Sequence, residues 1–199
     1  MRYAYITLIG CCLLLMTSPT WAKDKKQKEA MDMQAAMETY AKLATPGDPH
    51  TRMASRAGSW NTTTKEWTDP QKPPTESTGA CEHTMLLGGR FLRQECTGDM
   101  MGQPYTGIGI LGYNNHTKKY VSTWMDSMGT GIFYMEGKAD KAGNKITHKG
   151  HYDDPIQGAM NLRAVTTLVD ADHEIFEMYG TGKSGKETKM MEITYTRKH

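Results

Sequence analysis

The chain has 199 residues, of which 24 are basic and 22 acidic, for a formal charge of +2. Apolar residues make up 38% and charged residues 23%, enough for a packed core and too little charge for wholesale disorder. The near balance of charge excludes a strong basic footprint, so nucleic acid is not an expected partner.

Residues 1–22, MRYAYITLIGCCLLLMTSPTWA, read as a signal peptide. Arg2 supplies the positive start. Tyr3 to Met16 is an apolar run too short to span a membrane. Thr20 and Ala22 put small residues before the charged run Lys23-Asp24-Lys25-Lys26. Leu8-Ile9-Gly10-Cys11 loosely resembles a lipoprotein cleavage box, but it would leave a very short apolar core before it. Cleavage after Ala22 is the expectation, with a periplasmic or secreted product. No second long apolar run follows, so no transmembrane segment is expected in the mature chain.

Residues 27–45 place Ala30, Met33, Met37, Tyr40, Ala41 and Ala44 at three- and four-residue steps, the pattern of an amphipathic helix. Packing of that apolar face would account for Met33 and Met37. Pro46-Gly47-Asp48-Pro49 stops the helix. Residues 23–50 are therefore assigned to a helix and linker, and 51–199 to one domain.

In that domain, turn signals recur every eight to twelve residues, from Asp69-Pro70 through Gly88-Gly89 and Asn114-Asn115 to Gly182–Gly185. Nine turns separate ten runs rich in Thr, Tyr, Val, Ile and Trp. Several alternate, as Met160, Leu162, Ala164, Thr166 and Leu168 do. The predicted fold is all-β: an up-and-down antiparallel barrel of about ten strands, since meandering connections without a long crossover favour closure.

From Tyr40 onward the chain resembles a bacterial family catalogued as domain of unknown function 1579. The resemblance is carried by Tyr40–Gly47, Leu87-Gly88-Gly89-Arg90, Gly98–Gly102, Tyr120–Asp126 and Met191–Arg197. It implies a calycin-like barrel and no particular activity. Cys81 and Cys96 depart from the family's pattern. Gly58-Ser59-Trp60 also resembles the Gly-x-Trp opening of lipocalin-type barrels, in which the Trp plugs the closed end and a late Arg packs over it. The resemblance implies the same structural parts for Trp60 and Arg197 here, through a cation–π contact.

Centring a turn on Gly88-Gly89 sets Leu86 opposite Phe91, Glu82 opposite Glu95 and Cys81 opposite Cys96. Export permits a Cys81–Cys96 disulfide. A two-residue turn would make the cysteines the wider, hydrogen-bonded kind of pair. A four-residue loop from Leu87 to Arg90 would make them the closer, non-hydrogen-bonded kind.

Tyr120, Ser122, Trp124 and Asp126 share a strand face. An aromatic stripe ending in a carboxylate suits a pocket that grips an apolar ligand and fixes one polar atom. Tyr134, on the next strand, is a candidate to add a hydroxyl. Met100 and Met101 sit in a hairpin loop where apolar residues have little structural reason to be, and are candidates for a lid or contact surface. The alternative is a core Trp beside an Asp that caps a turn.

The leading reading is a barrel binding a small, largely apolar molecule. Two others stay open. An enzyme could use Glu82, Glu95 or Asp126 as acid/base groups, since opposed carboxylates repel and shift each other's titration. Against it, no Ser/His/Asp or Cys/His arrangement is supported by spacing. A copper-handling protein could use clustered methionine sulfurs. The seven histidines show no pair at zinc-ligand spacing, and the sequence assigns no metal site or cofactor.

Overall fold

The computed structural model describes residues 20–100, 102–156, 158–182 and 185–199. It divides into two units, residues 1–43 and 44–199. The leader read over 1–22 falls outside the described residues as far as residue 19. No helix among the described residues is long and apolar enough to cross a membrane.

Helix α1 runs Thr20–Ala44, seven residues longer at its start than the periodicity predicts. Its end before Pro46 is as expected. Met31, Met33, Met37 and Tyr40 are 64–71% exposed. Within its own unit the helix leaves Met33 and Met37 uncovered.

The second unit opens with a short helix, α2 (Asp48–Ala54), which starts in the segment read as linker and runs past its end at residue 50. Pro49 stands in its first turn, where a missing N–H costs nothing. His50 Nδ1 accepts a hydrogen bond from Gly47 N at 3.0 Å. At seven residues the helix is too short to show a periodic signal, so its Pro-Gly opening reads only as a break.

Ten strands follow in a meander: β1 (Gly58–Glu66), β2 (Thr75–Leu86), β3 (Phe91–Met100), β4 (Gln103–Asn114) and β5 (Lys119–Asp126), then β6 (Phe133–Ala139), β7 (Lys145–Asp154), β8 (Gly158–Leu168), β9 (His173–Thr181) and β10 (Glu187–Arg197). Each pairs antiparallel with the next, and β10 returns to β1, so the barrel is closed. Closure leaves no free sheet edge. The fold is a calycin-like, up-and-down antiparallel barrel, as the turn rhythm predicts.

One end is filled. Met53 of α2 packs with Leu92, Leu111, Tyr120 and Ile146, all nearly inaccessible. Beside them, Trp60 is 2% exposed and donates its indole N–H to Arg56 O at 3.0 Å. The Arg197 guanidinium lies 4.2 Å from the Trp60 ring centroid. It also donates to Ala57 O and Ser55 O, tying the last strand to the segment that enters the first.

The β2–β3 hairpin has the expected register, with Glu82 opposite Glu95 and Cys81 opposite Cys96. Its loop is the four-residue kind. Gly89 N and Arg90 N both donate to Leu86 O, and Leu87, Gly88 and Gly89 all take positive φ. The cysteines are disulfide-bonded, with Cα atoms 4.1 Å apart, the closer kind of cross-strand pair.

Candidate functional site

Above the filled end the barrel interior holds a cavity of about 240 Å³. That corresponds to roughly eight water molecules' share of liquid volume. Its floor is an ion pair. Arg56 Nε lies 2.7 Å from Glu174 Oε2, and Arg56 Nη2 lies 2.5 Å from Glu174 Oε1. Arg56 is 5% exposed and Glu174 2%. The bidentate geometry satisfies two charges that could not be left singly in such a place.

Two histidines flank this pair, and both stay neutral. His83 is held at a pKa of about 3 by burial and by the Arg56 charge. With Nδ1 protonated it donates to Arg56 O at 3.2 Å, and Nε2 accepts from the Gln94 amide at 3.2 Å. His148 is held at about 4 by the same two causes. It lines the cavity and is 4% exposed, yet its Nε2 has no hydrogen-bond partner among the described residues.

The walls differ. On β1 to β3 they carry Thr62, Thr64, Ser77, Gly79 and the disulfide. From β5 to β10 they carry Trp124, Phe133, Met135, Phe176 and Ile193. Adjacent Met190 and Met191 both reach the interior side, because the β9–β10 register shifts between Lys189 and Met191. Such a bulge breaks strict in–out alternation.

Trp124 lies against β4 where that strand reads Gly107-Ile108-Gly109. A Cβ at Gly107 would come 2.3 Å from the indole, and one at Gly109 would come 2.7 Å from it. The two glycines therefore seat the ring flat on the wall. The indole N–H points at Asp126 Oδ2 (3.1 Å) and at the Tyr105 hydroxyl (3.0 Å). Met128 N donates to Asp126 Oδ1 at 3.0 Å. Burial and the Asp126 carboxylate push the Tyr105 hydroxyl well above its ordinary pKa. Glu66, at the end of β1, is half-buried at the same rim, and burial raises its carboxyl above the usual range.

Of the residues singled out from sequence, Trp124, Asp126 and Met100 line the cavity. Met101 lies outside the described residues. Tyr120 is on the correct face at the wrong depth. Four residues down the strand, about 13 Å, it is packed at 2% exposure in the filled end. Tyr134 is on the wrong face. It pairs with Thr123, is 52% exposed, and its hydroxyl bonds Glu136 Oε1 at 2.9 Å on the outside. The hydroxyl beside Asp126 is Tyr105's instead. Glu82 and Glu95 also face outward. Glu82 accepts from Ser59 Oγ at 2.5 Å, and Glu95 pairs with Arg93 at 3.2 Å. They do not form an interior acid/base pair.

Residues missed from sequence are the Arg56–Glu174 pair, His148, Glu66 and Tyr105. Tyr105 had a usable signal, since two glycines at alternate positions of one strand mark close approach by a flat side chain. The long-range ion pair had none.

The matched family profile, described as "Protein of unknown function (DUF1579)", covers residues 45–197. The chain belongs to this family. No curated protein matches it. Among solved structures, Rv2717c from M. tuberculosis superposes with a TM-score of 0.56 at 13% identity, over 78% of this chain and 100% of that one. The S-type phycobiliprotein lyase CPES from Guillardia theta gives 0.53 at 12% identity, over 75% and 92%. At such identities the likeness shows the barrel fold alone.

Proposed function

We propose that the chain is exported and that its barrel binds a small, largely apolar molecule. The observation that carries this is the seat of Trp124. A core Trp would fill the interior, whereas this one is laid flat on Gly107 and Gly109 and leaves a cavity in front of it. The opposite wall adds flexible methionine and aromatic surface, which adapts to a ligand's shape. A few fixed polar atoms at Asp126 and Tyr105 orient one end.

An environment-sensitive apolar dye should bind with saturation, and Trp124→Ala should weaken it several-fold. An indole-sized contact contributes on the order of 1–3 kcal/mol. Unchanged affinity in a folded Trp124→Ala variant would remove the cavity from consideration as the binding site. Export rests on the leader alone. Mass spectrometry of the protein from its own compartment should find Lys23 at the N-terminus, and a diacylated Cys11 would contradict cleavage after Ala22.

A further inference from the structure

Resting on the binding reading above, we propose that the ligand is a small organic cation, an amine or ammonium with an apolar body, held at the rim by Asp126 and Glu66 over the Trp124 ring.

The first observation is the charge inventory of the cavity. Five charged residues line it: Arg56, Glu66, Asp99, Asp126 and Glu174. Arg56 and Glu174 neutralise each other at the floor. That leaves three carboxylates and no unpaired basic side chain among the described lining residues. The two buried histidines do not offset them, because both stay neutral well below pH 7. A cavity lined by one sign of charge and low-dielectric walls concentrates the opposite sign.

The second observation is how these carboxylates are held. Asp126 is oriented by the Trp124 N–H, the Tyr105 hydroxyl and Met128 N, so it presents a fixed anion beside the indole. One face of that indole lies on Gly107 and Gly109, and the ring also packs against the cluster that holds the disulfide while lining the cavity. A flat ring with a carboxylate at its edge is the arrangement that attracts an alkylammonium, through cation–π and ionic contact together. Glu66 approaches from β1, and its charge is felt at the Tyr105 hydroxyl, as that of Asp126 is. Among the described residues Glu66 has no hydrogen-bonding or ionic partner, while burial disfavours its charged form. A bound cation would supply the missing partner.

The third observation is independent of charge and lies at the floor of the same cavity, beside Tyr120. The His148 Nε2 is buried and unbonded in a side chain 4% exposed that lines the same cavity. Such an atom is costly unless something in the cavity satisfies it.

The cavity volume of about 240 Å³ limits the ligand to a small amine. A matched series tests the charge directly: 4-phenylbutylamine, 4-phenylbutan-1-ol and 4-phenylbutyrate, titrated calorimetrically at neutral pH. The amine should bind at least about tenfold tighter than the alcohol, and the carboxylate should bind weakest. Added salt should weaken the amine and leave the alcohol little changed. In the double variant Asp126→Asn/Glu66→Gln the amine preference should shrink to about threefold or less. Glu76→Gln, which removes an exposed carboxylate paired with Lys65, should keep the full preference.

An amine no tighter than the alcohol overturns the charge assignment and leaves the cavity reading standing. A preference that survives the double variant overturns the role of these two carboxylates. Failure of all three probes to bind overturns both readings. The probe series on the unaltered protein decides the charge question even if the double variant does not fold.

Discussion

The two ends of the barrel are built on opposite rules. At the filled end the buried charges are paired. Arg56 and Glu174 bond twice, His83 has a partner on each ring nitrogen, and Trp60, His83 and Tyr195 stack within 5.8–6.4 Å of one another. At the rim, glycines, methionines and half-buried carboxylates leave space and unspent bonding capacity. On the proposed reading, stability and binding are separated along the barrel axis. Changes at the floor should unfold the protein, and changes at the rim should alter binding while the fold survives.

The largest expected effect tests the floor. Glu174→Gln leaves a buried guanidinium without its counter-charge, which costs about 3–5 kcal/mol. Urea unfolding should show a lower midpoint with an unchanged slope. Replacing both partners at once, Arg56→Met with Glu174→Leu, should cost much less, because no orphan charge remains. A cost below about 1 kcal/mol for Glu174→Gln would show that the floor is not organised around this pair.

Next in size is the acid response of the same region. His83 and His148 have folded pKa values of about 3 and about 4, against an ordinary 6.5. In the window from about 6.5 down to about 4 the unfolded chain binds protons that the folded chain refuses. Stability is therefore fully present above 6.5 and is lost as pH falls, by up to about 1.4 kcal/mol per pH unit for each histidine. Glu66 acts in the opposite sense: burial raises its carboxyl, so its contribution is present at low pH and fades as pH rises through its folded pKa. His148→Gln isolates one histidine. Unfolding free energies measured from pH 4 to 7 should have a shallower slope in this variant. Parallel slopes would mean that His148 is protonated in the folded state.

What could be read from sequence follows the same division between local and distant pairing. The meander, the disulfide and the Trp124/Asp126 face were legible because each depends on alternation or on a symmetric turn within one hairpin. Tyr134 was misplaced because the β5–β6 connection is long. Trp124 pairs with Phe133, and Thr123 with Tyr134, so the inward partner is one residue earlier. A slip of one residue flips every side chain to the other face. Depth along the axis was also invisible, which is why Tyr120 was read as part of the pocket. Arg56 and Glu174 are 118 residues apart, and no periodicity joins them. α2 was missed because seven residues cannot show a helical stripe.

The smallest expected effect comes from a third region, the outer wall. Glu82 and Glu95 stand opposite each other, as their register predicts, and each has its own outward partner in Ser59 and Arg93. Removing one charge with Glu82→Gln relieves a like-charge opposition and weakens one exposed hydrogen bond, two small effects of opposite sign. Stability should change by no more than about 0.5 kcal/mol. Dye affinity should be unaltered, because neither side chain lines the cavity. Glu95→Gln should behave alike, with the Arg93 pair too exposed to count for much. A tenfold loss of dye binding in either variant would contradict a division in which the interior alone binds. It would bring the opposed carboxylates back as a functional pair.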